Sequence, residues 1–260
     1  MRFAFLYLGL GLSHALLWTP PAWSDDVVAV QPLGSRSPKG ICQILSKHPI
    51  TGQTLYGSGA LLGDRIVTAN HVLESGYVIQ KIVCSGGVEI PTTHLKFRRF
   101  EENDVALIGL PDHYATDIRL VRADEADLGG PFEVWGYGKL KPNTEPATLQ
   151  GAQIDRFLPV GWGDQAVFQS EKVFMVPGDS GGPLLKRVGE EWALLSVTST
   201  GVYRIEPGKP GLSTFSRLPP LLSRIEAASE QMRAEFSKEL GVPLRLPAAC
   251  VAGAIRRQAG

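Results

Sequence analysis

The segment Pro177-Gly178-Asp179-Ser180-Gly181-Gly182-Pro183-Leu184 sets one serine among three glycines and two prolines. A turn of this kind exposes the serine hydroxyl and lets neighbouring backbone N–H groups point into one concavity, as acyl transfer requires to hold a developing oxyanion. The bland alternative is a Gly-rich hairpin turn without chemistry. A serine hydroxyl is a weak nucleophile near neutral pH and needs a base within hydrogen-bond reach, most often histidine. Of the five histidines, His14 lies in the N-terminal apolar run, and His48, His94 and His113 stand in polar, turn-like surroundings that read as surface. His71 differs because it follows the strand-like run Arg65 to Asn70, which puts it at the end of a buried strand. A third group must accept a hydrogen bond from the imidazole and hold its tautomer. Asp104 is the acid that directly opens a strongly apolar strand, Val105-Ala106-Leu107-Ile108.

Together these segments resemble the chymotrypsin/trypsin-like serine protease family, in its bacterial, short-loop form. The family's base lies in a Thr-Ala-Ala-His string, matched by Thr68-Ala69-Asn70-His71. Its orienting acid lies in Asn/Asp-Asp-Ile-Ala-Leu, matched by Asn103-Asp104-Val105-Ala106-Leu107, and its nucleophile in Gly-Asp-Ser-Gly-Gly-Pro, matched in full by residues 178–183. The order His, Asp, Ser is also the family's. Val134-Trp135-Gly136-Tyr137-Gly138 is similar to the Gly-Trp-Gly segment that opens the second barrel, Ser199-Thr200-Gly201 to the Ser-Trp-Gly substrate strand, and Pro210-Gly211-Leu212 to the Pro-Gly-Val that follows.

The resemblance implies that Ser180 attacks a scissile carbonyl, His71 takes and returns the proton, and Asp104 holds His71. It implies an oxyanion hole from the backbone N–H groups of Gly178 and Ser180. Phe174, Ser199, Thr200, Gly201 and Gly211 would bind substrate, and Asp179 would be the structural acid beside the nucleophile. No metal or organic cofactor is implied. The activity so implied is that of an exported serine endopeptidase acting on a protein or peptide. Two rivals stand beside it: a non-catalytic binding module on the same fold, and an esterase using the same triad.

The chain also departs from the family pattern. No Ile/Val-Val-Gly-Gly start is found, which leaves open what Asp179 pairs with, and Val72 replaces the cysteine that commonly follows the base. Phe174 stands where members cutting after Arg or Lys have an aspartate. It argues for an apolar or partly filled pocket, or reads simply as core.

The elements that would position these groups are short β-type runs separated by turn residues. They are Cys42–Leu45, Tyr56–Leu62, Arg65–Ala69, Tyr77–Cys84, His94–Phe100 and Val105–Leu110, then Phe132–Tyr137, Gln150–Phe157, Ala166–Gln169, Pro183–Lys186, Trp192–Ser199 and Gly211–Phe215. Such spacing predicts an all-β protein. With the resemblance it implies two six-stranded antiparallel Greek-key barrels and a C-terminal α-helix. The expected division is an arm over 25–40, a first barrel over 41–118, a second over 119–216, a helix over 217–240 and a tail over 241–260, with a linker around Asp117 to Gly130. The helix starts at Pro219-Pro220, repeats apolar residues at Leu221, Ile225, Ala228, Met232 and Phe236, and stops at Gly241. Its apolar stripe is expected to pack on the second β unit.

Composition bounds the rest. With 260 residues, 43% hydrophobic, and a formal net charge of zero, the chain is globular and gives no support to capture of nucleic acid or an anionic membrane. Residues 1–24 have the layout of a secretory signal peptide: Met1-Arg2, an apolar run from Phe3 to Leu17, then Ala22-Trp23-Ser24. Cleavage after Ser24 would give a secreted or periplasmic protein without stable membrane insertion. In an oxidising compartment cysteines read first as bridges. Among Cys42, Cys84 and Cys250 the preferred pairing is Cys42 with Cys84, which leaves Cys250 over.

Overall fold

Short runs rich in Ile, Val, Leu and Phe, each cut by glycine, proline or polar turns, give fourteen strands among the described residues. Those residues, in the computed structural model, are 37–122, 131–138, 149–154, 165–170, 176–202 and 211–241. The first seven strands are β1 (Ile41–Lys47), β2 (Thr54–Leu61), β3 (Arg65–Thr68), β4 (Val78–Cys84), β5 (Val88–Ile90), β6 (Lys96–Phe100) and β7 (Val105–Gly109). They form one antiparallel sheet in the order β5-β4-β1-β2-β3-β7-β6. The rest are β8 (Ile118–Leu120), β9 (Phe132–Gly136), β10 (Gln150–Ile154), β11 (Gln165–Ser170), β12 (Pro183–Val188), β13 (Glu191–Val202) and β14 (Gly211–Arg217). Here the order is β10-β9-β12-β13-β14-β11, with β8 beside β13.

Each sheet thus carries a three-residue strand beyond the six expected. β5 closes a hairpin on β4, whereas β8 runs parallel to β13 through Trp192↔Ile118 and Leu194↔Leu120. β14 pairs with β13 only from Ser196 onward, so the edge at Trp192–Leu194 has backbone groups to satisfy. The segment read as a linker supplies them.

Cys42 faces Cys84 directly across β1 and β4, and the two form a disulfide within the buried core of the first sheet. Around it pack Ile44, Leu61, Ile66, Ile82 and Ile108. A second cluster, including Phe132, Val134, Leu184, Leu195 and Phe215, fills the other sheet. A third joins the two, with Ile41, Val67 and Leu107 of the first sheet against Trp135, Leu185 and Leu194 of the second.

After a 3₁₀ turn at Pro219–Leu221 the chain forms α1 (Leu222–Leu240), closed by Gly241 in the left-handed conformation at φ +66°. The predicted stripe is present, with Ser229 in place of Ala228 among its buried residues Ile225, Met232 and Phe236. Its docking differs from expectation. The helix packs on β7 of the first sheet, where a Cβ on Gly109 would meet Met232 Sδ at 2.8 Å and Phe236 at 3.3 Å. Periodicity decides which side chains share a face but not which surface receives it. Here the receiving strand, Val105–Gly109, is buried along its whole length and needs cover on a second side. Polar contacts along the rim repeat the pairing: Arg224 with Glu102 at 2.6 Å, Lys96 with Glu239 at 2.5 Å, and Arg98 with Glu235.

Candidate active site

His71 stands in a one-turn 3₁₀ helix, Asn70–Leu73, at the end of β3. Because β3 pairs with β7 up to Thr68↔Ala106, the end of one strand lies beside the start of the other, where Asp104 precedes Val105. Asp104 closes a second 3₁₀ turn, Glu101–Asn103, at φ 49° and ψ 44°. That left-handed conformation is uncommon outside glycine but tolerated by aspartate, and it turns the carboxylate back towards His71. Asp104 accepts the His71 backbone N–H at 3.0 Å through Oδ1 and meets the imidazole Nδ1 at 2.9 Å through Oδ2. Arg99 donates to Asn70 Oδ1 at 3.2 Å and to the Leu73 carbonyl, tying β6 to the turn that bears His71.

Ser199 completes this carboxylate's surroundings. The β13–β14 register shifts between Thr198 and Gly201, so that Ser199 and Thr200 stand opposite Thr214. A bulge of this kind re-aims a side chain, and Ser199 Oγ donates to Asp104 Oδ2 at 2.5 Å. The resemblance assigned Ser199 to the substrate; its side chain is buried, with the hydroxyl on Asp104, and its backbone belongs to β13. Burial pushes the Asp104 carboxyl up, but the hydrogen bonds from His71 and Ser199 outweigh it and hold its pKa below the ordinary value. The His71 side chain is 44% exposed and that of Asp104 19%, so the imidazole is open to a reactant while its partner is mostly covered.

The Ser180 turn lies between the sheets. Its carbonyl accepts the Ser58 N–H at 2.7 Å from β2, and Gly181 N–H donates to the Thr198 carbonyl at 2.7 Å on β13. A Cβ on Gly181, at φ +80°, would meet Thr68 Oγ1 at 2.1 Å and the Ser58 carbonyl at 2.3 Å. The turn therefore presses on β3, which ends three residues before His71, and glycine is what permits it. Ser180 is partly exposed, while Gly178 and Asp179 on either side of the turn's entry are buried. A hydroxyl–imidazole hydrogen bond is not among the contacts of the described residues; such contacts are often long before a reactant is bound.

Asp179 is held internally. Its Oδ1 accepts Gly138 N–H at 2.7 Å and its Oδ2 accepts Val176 N–H at 2.9 Å. Burial pushes its carboxyl up to about 6, against the pull of these two donors. The glycines of Val134-Trp135-Gly136-Tyr137-Gly138 make room for it: a Cβ on Gly136 or Gly138 would lie 2.3 or 2.4 Å from a carboxylate oxygen. Beside His71, Val72 packs against Gly57, where a Cβ would meet it at 2.4 Å, so a small apolar contact stands where the family commonly has a cysteine.

Of the expected substrate residues, Thr200 and Gly201 lie on β13, and Gly211 pairs with Ser170 at the start of β14. Phe174 lies outside the described residues. Sequence reasoning missed Ser58 altogether. Its only signal is a small polar residue between two glycines, Gly57 and Gly59, ahead of an apolar strand end.

Comparison with known proteins bears on the family and the fold. The trypsin family model matches residues 45–217. The chain belongs to the trypsin family. Its fold is the chymotrypsin-like double β-barrel with one C-terminal helix. Among solved structures it is similar to the scabies mite inactivated protease paralogue S-I1, with a TM-score of 0.51 and 20% identity over 72% of this chain and 93% of that one. No curated protein matches the sequence significantly.

Proposed function

We propose that this member of the trypsin family is an exported serine endopeptidase, working through an acyl-enzyme with His71, Asp104 and Ser180. Ser180 Oγ attacks the scissile carbonyl and its proton passes to His71, whose imidazolium Asp104 stabilises. The tetrahedral oxyanion accepts hydrogen bonds from the Gly178 and Ser180 N–H groups. His71 then gives the proton to the leaving amine, and water releases the acyl group by the same steps in reverse order. The observation that carries this reading is the His71–Asp104 pair, hydrogen bonded through Nδ1 and set beside the glycine-lined Ser180 turn. Purified protein is expected to take up a fluorophosphonate covalently, and Ser180→Ala to lose that labelling. Folded wild-type protein that does not label, or a labelled alanine variant, overturns it.

The fold neighbour is an inactivated protease paralogue, which favours a non-catalytic binding module as the second reading. Against it, a nucleophile, a base and an acid all occupy their positions in this sequence. Turnover of a peptide-amide library decides between the two, and turnover of simple esters without amides would point to an esterase. Export is supported by the disulfide, and no helix among the described residues is long and apolar enough to cross a membrane. Amino-terminal sequencing of the exported protein is expected to start at Asp25.

A further inference from the structure

Ser58 is fully buried at the junction of the two sheets, and all of its polar groups are engaged with the machinery around Ser180. Its Oγ donates to the Gly178 carbonyl at 2.7 Å and accepts the Tyr137 N–H at 2.9 Å. Its backbone N–H donates to the Ser180 carbonyl at 2.7 Å, and its own carbonyl accepts Thr68 Oγ1 at 2.7 Å. Through its hydroxyl and its backbone together, Ser58 joins the Ser180 turn, the entry to the second sheet and the strand leading to His71.

The peptide units of the turn show what this clasp decides. The unit between Ser180 and Gly181 is held at both ends by backbone bonds, to Ser58 N and to the Thr198 carbonyl. The unit between Gly178 and Asp179 is held at its N–H end by the Val176 carbonyl at 2.9 Å. Its carbonyl end is held by a side chain, Ser58 Oγ. Gly178 sits at φ +102° and has no Cβ to restrict rotation about its own backbone bonds. Its N–H is one of the two proposed oxyanion donors, and such a donor works only when already aimed.

We infer that Ser58 is a positioning residue: its hydroxyl fixes the Gly178 carbonyl and so the Gly178–Asp179 peptide unit, which restricts the adjoining Pro177–Gly178 unit across the Gly178 Cα and helps to aim the Gly178 N–H, carried by that second unit, at the developing oxyanion. This inference rests on the serine-protease reading of the site. Ser58 touches no substrate and moves no proton. Because the same hydroxyl accepts from Tyr137, it also joins the aim of the donor to the segment that cradles Asp179.

The test compares wild type, Ser58→Ala and Ser58→Cys, the last keeping a weaker donor of similar size. In Ser58→Ala, kcat on a peptide amide is expected to fall about 10-fold or more, short of the 10²–10³ lost with an outright donor, while KM stays within about twofold. Affinity for a peptide boronate, which forms the tetrahedral anion, should fall in step with kcat, and Ser58→Cys should lie between. Amide exchange of a peptide covering residues 176–182 is expected to quicken about 10-fold in Ser58→Ala, with exchange in β4 and α1 unchanged. Equal kcat and boronate affinity across the variants overturns the inference, as does unaltered exchange of the turn. If Ser58→Ala does not fold, equality of wild type and Ser58→Cys overturns it. The readings fail separately. Wild type that neither labels nor cleaves defeats the serine-protease reading, in which case exchange still tests the clasp; an active wild type with indifferent Ser58 variants defeats the inference alone.

Discussion

Ser199 donates its hydroxyl to Asp104 across the boundary between the two sheets, at 2.5 Å, on the same carboxylate oxygen that meets His71. Asp104 comes from β7's approach in the first sheet, and its outer partner from a bulge in the second. Docking of the sheets and orientation of the imidazole are therefore coupled.

Ser199→Ala removes a hydrogen bond to a charged group, worth about 1.5–3 kcal/mol of stability at neutral pH. Asp104's folded pKa is lowered, so the stability it lends is present above the unfolded value of about 3.9 and is lost as pH falls through the lower folded one. The difference between wild type and variant, read by urea unfolding, should be full at pH 7 and shrink below pH 4. A difference independent of pH would show that the bond does not depend on the carboxylate's charge.

Asp179 gives the opposite sign. Its folded pKa of about 6 lies above the unfolded value, so the native state holds an extra proton between about pH 4 and 6. Stability from this group is complete below that window and is lost as pH rises through it, by about 3 kcal/mol for a shift of about two units. Asp179→Asn should flatten this part of the profile. Any cost of losing one acceptor should show at neutral pH, where the ionised wild-type carboxylate accepts from both Gly138 and Val176 and an amide accepts through its single oxygen.

Phe236→Ala should destabilise by about 3–5 kcal/mol, measured by chemical denaturation, because the ring is fully buried between α1 and the first sheet. The same substitution on a helix docked elsewhere would leave β7 unaffected. Hydrogen exchange of residues 105–109 is thus expected to quicken along with the loss.

Replacing Cys42 and Cys84 together by alanine should cost about 4 kcal/mol, from the loop entropy of the 42-residue separation. Thermal unfolding of the wild type with and without reductant offers the same comparison without mutation. No change in Tm on reduction would mean that the bridge adds nothing.

Much of the candidate site is legible in linear order because the proposed acyl transfer would need particular residue types in short strings. The His71 and Asp104 segments each pair a polar residue with the end of an apolar strand, and the Ser180 turn needs glycines for its positive φ angles. The strands were legible for the same local reason, each being a short apolar run between turn residues. The linker strand β8 was not, since Ile118–Leu120 pairs only because β13 leaves an edge open.

What the tertiary structure alone decided are relationships between surfaces distant in sequence. Helical period showed which residues of α1 are apolar, but that its main contact is with β7 depends on which face lacks cover. The glycines of residues 134–138 look like turn residues until Asp179, 41 residues on from Gly138, is seen to occupy their missing side chains' space. Ser58 carries almost no sequence signal, because a hydroxyl's importance comes from the carbonyl and the N–H brought within its reach, and those belong to residues 120 and 79 positions away. Local chemistry can be written into neighbouring residues; a buried hydrogen bond between sheets exists only once the sheets have met.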